Sequence, residues 1–149
     1  MAHHFLKLAA ALAITTTIAA PAGAEVLAEC GASAGKARYG EPGAAWTDDR
    51  ISGGSFTFTL DAKGNANVLF RDTRGGTVDA AADGAQVALV YASPNRREFT
   101  IIVAYDTGAV ETYNVVVEPG GSRQLLWTLN RAAWLGAAKV GSYVAFCPK

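Results

Sequence analysis

The stretch EFTIIVAYDTGAVETYNVVVE, residues 98–118, decides how this chain folds. Its two halves are rich in β-branched and aromatic residues, which suit a pleated, half-buried surface. Between them Asp106-Thr107-Gly108 is a short turn signal, with Gly where a left-handed backbone is needed. The pattern predicts a hairpin with a three-residue loop. Phe99, Ile101, Val103 and Tyr105 then share a face with Tyr113, Val115 and Val117. The other face carries Thr100, Ala104, Thr112 and Asn114, with Ile102, Val110 and Val116 among them. This register puts Glu111 on the apolar face, which is tolerable only near an open end where the carboxylate reaches water. A loop one residue longer would turn Val110, Thr112, Asn114 and Val116 inward instead.

The same alternation recurs on both sides of the hairpin. Phe56, Phe58 and Leu60 alternate with Ser55, Thr57 and Thr59; Val68 and Phe70 mark a strand over residues 66–71; a short strand surrounds Val78. Val87, Leu89 and Tyr91 alternate before the hairpin, and Leu125, Trp127 and Leu129 after it. Tyr143, Val144 and Phe146 mark a last strand over residues 139–147. Turn signals separate them at Asp61–Gly64, at residues 72–76, at Asp83-Gly84, at residues 93–97 and at Pro119-Gly120-Gly121. Strand and turn alternating every 8–12 residues or so is the spacing of an all-β antiparallel meander closed into a small sandwich or barrel, here of about 7–8 strands. Residues 31–49, rich in Gly and Ala and broken by Pro42, read as an irregular arm packed by Tyr39 and Trp46. Residues 131–138 read as a helical turn or a loop, since Gly136 interrupts the alanines.

The chain has 149 residues, half of them hydrophobic, and sixteen glycines. That is a one-domain length with enough apolar residues for a core. Formal net charge is zero, so nucleic acid and anionic membrane surfaces have no long-range attraction to offer. Residues 1–24 read as a signal peptide. Lys7 precedes an apolar run over residues 8–20, and Ala22-Gly23-Ala24 gives the small-x-small pattern for cleavage after Ala24, leaving Glu25 as the new N-terminus. No later segment reaches the ~18 apolar residues of a membrane span. The run Leu27-Ala28-Glu29-Cys30 approaches a lipid-attachment signal, but Glu29 stands where a small residue is wanted. The expected product is a periplasmic or secreted single β domain over residues 25–149. Its two cysteines, Cys30 and Cys147, then read as a disulfide tying the chain ends together.

Both histidines, His3 and His4, lie inside the expected signal. Export therefore removes Ser-His-Asp and Cys-His catalysis and any histidine-based metal site, and no catalytic residue, metal or cofactor is assigned. Asp48 and Asp49 are adjacent carboxylates, while Asp61, Asp72, Asp83 and Asp106 fall at turns, where Asp caps its own backbone. The run from Asp61 to Asn67 spaces oxygen ligands as calcium loops do, but Lys63 puts a cation in the ligand set. Arg96 and Arg97 at a loop tip, with Trp46 and Trp134, are the candidate contact surface.

The two terminal cysteines, the run from Trp46 through Asp49-Arg-Ile-Ser-Gly-Gly54 and the Asp83-Gly84 turn resemble small exported β-proteins of Gram-negative bacteria. That resemblance implies export and an all-β fold and carries no activity. Periplasmic lysozyme inhibitors are comparable in size and disulfide use, but Ser52-Gly53-Gly54-Ser55-Phe56 lacks the Arg and Tyr of their contact loop. The functional expectation is a non-enzymatic binding domain of the bacterial envelope, with an envelope protein or glycan as partner. The alternatives are an inhibitor of a secreted hydrolase such as lysozyme or a protease, acting through residues 93–97, and a histidine-free carboxylate hydrolase.

Overall fold

The computed structural model describes residues 23–40, 43–51, 53–132 and 137–148. These residues form eleven strands and no helix. In chain order they are β1 (Glu25–Cys30), β2 (Ser33–Tyr39), β3 (Thr47–Ile51), β4 (Ser55–Leu60), β5 (Ala66–Arg71), β6 (Thr77–Asp79), β7 (Gln86–Ala92), β8 (Phe99–Ala104), β9 (Ala109–Val117), β10 (Arg123–Arg131) and β11 (Lys139–Cys147). Two antiparallel sheets result: a four-stranded sheet in the order β1-β4-β5-β6 and a seven-stranded sheet in the order β3-β2-β11-β10-β9-β8-β7. The fold is all-β and antiparallel as expected, and of the two closures expected, sandwich or barrel, it takes the sandwich-like one. No described helix is long and apolar enough to cross a membrane.

The hairpin β8–β9 takes the three-residue loop. Phe99 pairs with Val115, Ile101 with Tyr113 and Val103 with Glu111. Tyr105 N–H donates to the Ala109 carbonyl, Gly108 N–H donates to the Tyr105 carbonyl, and Gly108 holds a φ of 77°. Phe99, Ile101, Val103, Tyr113 and Val115 are buried, and Glu111 shares their face.

The strands of the small sheet cross those of the large one, as β1 shows residue by residue. Glu25, at its start, pairs with Arg96 just before β8. The Leu27 carbonyl accepts from Arg123 at the start of β10. Cys30, at its end, is disulfide-bonded to Cys147 at the end of β11. β1 thus spans one end of the large sheet, and β4 lies across the middle. Phe56 of β4 packs on Tyr113 and Trp127, and Phe58 on Phe99 and Tyr113. Crossed packing of this kind seals the core where the sheets overlap, and beyond it the longer sheet has no facing strand among the described residues.

The core is a row of aromatic rings. Tyr113, Trp127 and Tyr143 are direct cross-strand neighbours on β9, β10 and β11. Their rings stack at 5.7 and 4.2 Å between centroids. Such pairs add roughly 0.5–1.5 kcal/mol each beyond the apolar area they bury. The Cys30–Cys147 bond closes a loop of sequence separation 117, worth roughly 4–5 kcal/mol in the chain-entropy account.

Residues 31–49 are not an irregular arm. They contain β2 and β3, which extend the large sheet from β11, and together with β1 they bring the strand number from the expected 7–8 to eleven. The physical reason is local. Gly35 sits opposite Tyr143, and a Cβ there would fall 1.9 Å from the Ser142 carbonyl oxygen. Close approach to β11 thus demands the small residues that made the segment look unstructured.

Candidate functional site

The end of the large sheet away from the disulfide carries its polar interior. One register row runs Ala109, Arg131, Lys139, Tyr39 across β9, β10, β11 and β2. Another runs Tyr113, Trp127, Tyr143, Gly35, Asp49 from β9 to β3. Between these rows, three donors converge on a single Asp49 oxygen, Oδ2: Lys139 Nζ at 2.7 Å, the Tyr143 hydroxyl at 2.8 Å and the Tyr39 hydroxyl at 2.9 Å. Lys139 Nζ also lies 5.0 Å from the Tyr39 ring centroid and 5.6 Å from that of Tyr143, so its charge is held by a carboxylate and two aromatic faces.

Burial alone would raise the Asp49 carboxyl, but the hydrogen bonds from Lys139, Tyr143 and Tyr39 outweigh it and hold its pKa down at about 2. Burial alone would lower Lys139, and the same partners hold its ammonium above the usual lysine range. The pair is only 16% and 22% exposed on the Lys139 and Asp49 sides. All three donors share the one oxygen, Oδ2, of Asp49.

Beside it, between the sheets, is a cavity of about 230 Å³. Phe56, Val68, Phe70 and Val78 of the small sheet form one wall, and Tyr113, Trp127 and Leu129 of the large sheet the other. Tyr105, Glu111 and Lys139 are the remaining polar lining. Glu111 receives a 2.5 Å hydrogen bond on Oε2 from the Tyr113 hydroxyl, and its other oxygen has no hydrogen bond among the described residues. Burial pushes the Glu111 carboxyl up, against the opposing pull of Tyr113 and Lys139. Burial, then Glu111, pushes Tyr113 well above its ordinary value. Tyr105 is pushed up to about 12, by burial first and by Glu111 and Asp83 after it. Trp127 Nε1 is buried with no partner among the described residues.

A wider depression of about 540 Å³ lies along β2 and β3, lined by Ala34, Gly35, Asp48, Asp49 and Arg50. Its carboxylates are already engaged, Asp48 with Lys36 at 2.7 Å and Asp49 with Lys139, so the cavity between the sheets is the better candidate.

The residues singled out in the sequence lie elsewhere. Arg96 and Arg97 sit in the β7–β8 turn, at the disulfide end; Arg96 pairs with Glu25, and Arg97 donates to the Gly121 carbonyl. Trp46 is 52% exposed just before β3, at the opposite edge and the opposite end of the large sheet, so these residues do not share a surface. Trp134 lies outside the described residues. Ala24 immediately precedes β1, which begins at Glu25. Cys30 and Cys147 are joined as expected. Asp61 and Asp72 cap their own turns, accepting from Lys63 and Asn65 N–H and from Arg74 and Gly76 N–H.

Sequence reading found Glu111, through the hairpin register, and missed the Asp49–Lys139–Tyr143 unit. The signal for the latter was the spacing of Lys139, Gly141 and Tyr143, which places all three on one face of a strand. Compared with known protein families, with curated proteins and with solved structures, the chain matches none.

Proposed function

We propose that this chain is an exported, non-enzymatic binding domain of the bacterial envelope, and that it takes a small group of its partner into the cavity at the end of the sandwich away from the disulfide. The observation that carries this reading is a carboxylate, Glu111, lining a largely aromatic and aliphatic cavity between the sheets, where burial disfavours its ionised form. Stability alone gives no reason to keep a carboxylate in that place, and such groups concentrate at sites of binding or chemistry. The disulfide and the signal-like residues 1–24 support an exported protein.

The test is a fragment screen followed by NMR on the disulfide-bonded protein. Shifts are expected to cluster at Val78, Glu111, Trp127 and Leu129 and to vanish in Val78→Trp, which plugs the opening. Saturable shifts confined to the outer sheet faces would place the working surface elsewhere.

One observation favours a second reading, inhibition of a secreted hydrolase. The turn at residues 93–98 is braced from inside: the Asn95 side chain accepts from the Ser93 hydroxyl and from Arg97 N–H, the Ser93 hydroxyl accepts from Glu98 N–H, and Arg96 holds a φ of 53°. Such preorganisation is what an inserting loop needs. Assays against lysozymes and serine proteases decide it, and no inhibition at micromolar concentration rejects it.

A further inference from the structure

We infer that the cavity between the sheets is a site for a small organic ammonium, a primary amine in its protonated form carried on one ring or a short apolar chain. This rests on the cavity being the binding site proposed above and adds the chemical class of what enters it.

Charge points to a cation. Of the residues lining the cavity, Glu111 and Lys139 are the ionisable acid and base of ordinary charge at neutral pH. Lys139 is consumed by Asp49 at 2.7 Å, with two tyrosine hydroxyls completing that carboxylate. Arg131 lies one register row further out, donates to the Ala137 carbonyl and does not line the cavity. Among the described residues Glu111 therefore forms no salt bridge, and Lys139 acts on it only through space. Its Oε2 accepts from Tyr113, and the second oxygen is left for a donor the protein does not supply among the described residues. An anion entering here meets like charge, and a neutral apolar molecule would shut the free Glu111 oxygen off from water with no donor in its place. An ammonium satisfies it.

The walls suit the same ligand. Phe56, Phe70, Tyr113 and Trp127 surround the space, and aromatic faces attract an ammonium within about 6 Å of the ring centre. The molecule already does this once, at Lys139 between Tyr39 and Tyr143. Size sets the rest. A cavity of about 230 Å³ exceeds the ~150 Å³ that holds benzene by enough for a short aminoalkyl arm and little more.

The experiment titrates the disulfide-bonded protein, by calorimetry and by NMR, with three probes of one shape: 2-phenylethylammonium, 2-phenylethanol and phenylacetate. The amine is expected to bind about 10- to 100-fold more tightly than the alcohol, the worth of one hydrogen bond to a charged group, and phenylacetate not at all. Glu111→Gln should bring the amine down to the level of the alcohol. Val78→Arg, an exposed change on β6 that sets a fixed cation at the cavity wall, should abolish amine binding without touching the core. If the alcohol or phenylacetate binds as tightly as the amine, or if Glu111→Gln leaves the amine unaffected, the cation assignment is wrong while the cavity remains a binding site. If none of the three perturbs Glu111, Trp127 or Leu129 at millimolar concentration, the binding reading fails with it.

Discussion

The Tyr143 hydroxyl donates to Asp49 Oδ2 at 2.8 Å across 94 residues of sequence, and it reaches there because Tyr143 folds over Gly141. A Cβ on Gly141 would fall 2.4 Å from the Tyr143 hydroxyl oxygen and 2.5 and 2.7 Å from its ring carbons. Gly141→Ala is therefore expected to push the ring off its place, at a cost of about 1–3 kcal/mol, as overpacking a filled site does. Gly35→Ala has less room to relax, because its Cβ would meet backbone rather than a side chain. It is expected to cost more than Gly141→Ala or to prevent folding. Chemical denaturation of both variants gives the comparison, and equal, negligible losses would contradict the packing described.

Acid stability separates the two interior carboxylates. Asp49 ionises at about 2 in the folded protein against an ordinary 3.8. The folded state thus binds that proton more weakly than the unfolded chain. The Asp49 unit contributes stability that is complete above about pH 4 and lost as pH falls toward 2, roughly 2 kcal/mol in all. Glu111 has the opposite sign: its folded pKa is raised, so ionisation costs stability at neutral pH and protonation on acidification removes that cost. Urea midpoints followed downward from pH 7 should rise as Glu111 takes its proton and fall below about pH 4. Asp49→Asn should abolish the fall and Glu111→Gln the rise.

At pH 7 Glu111→Gln should also stabilise the fold, by about 1 kcal/mol, since the amide keeps an acceptor for Tyr113 without a buried charge. A more stable variant that binds an amine less well is the signature of a group kept for a ligand rather than for the fold. Thermal denaturation of the two proteins at pH 7 gives the answer, and a destabilised variant would assign Glu111 a structural role.

Much of this molecule was legible before any coordinates. Residues 55–60 and the hairpin alternate cleanly because each strand buries one face, and a period of two is the direct imprint of that. Glu111 was legible for the same reason, as the one charge on a buried face. What could not be read was everything on β1 to β3. In β1 a register shift between Val26 and Ala28 turns both Leu27 and Ala28 inward, which erases the alternation. β2 owes Gly35 to the backbone of Ser142 and Tyr143, which passes too close for a Cβ and lies more than a hundred positions away in sequence. β3 is a charged edge strand, and edges are commonly protected in that way. Asp49 is invisible as an interior residue until β2 and β11 are placed.

The disulfide joins the two sheets as well as the two ends, since Cys30 ends β1 and Cys147 ends β11. Replacing both by Ala should cost about 2–5 kcal/mol. Hydrogen exchange should show β1 losing protection before β9 and β10, because β1 pairs only with β4 while those strands lie in the middle of the large sheet. Uniform loss across both sheets would show that the bond stabilises the whole domain without preference for its edge.

Glu111 lines the cavity as a carboxylate with no salt-bridge partner among the described residues. The direct measurement follows the Glu111 side-chain carboxyl carbon by NMR from about pH 3 to pH 9, across the range that brackets ordinary and raised carboxylates, with and without 2-phenylethylammonium. Glu111 should titrate above its ordinary 4.5 in the free protein, and saturating amine should pull that value down. A Glu111 that titrates at or below 4.5 alone, and does not move when the amine is added, would contradict the account.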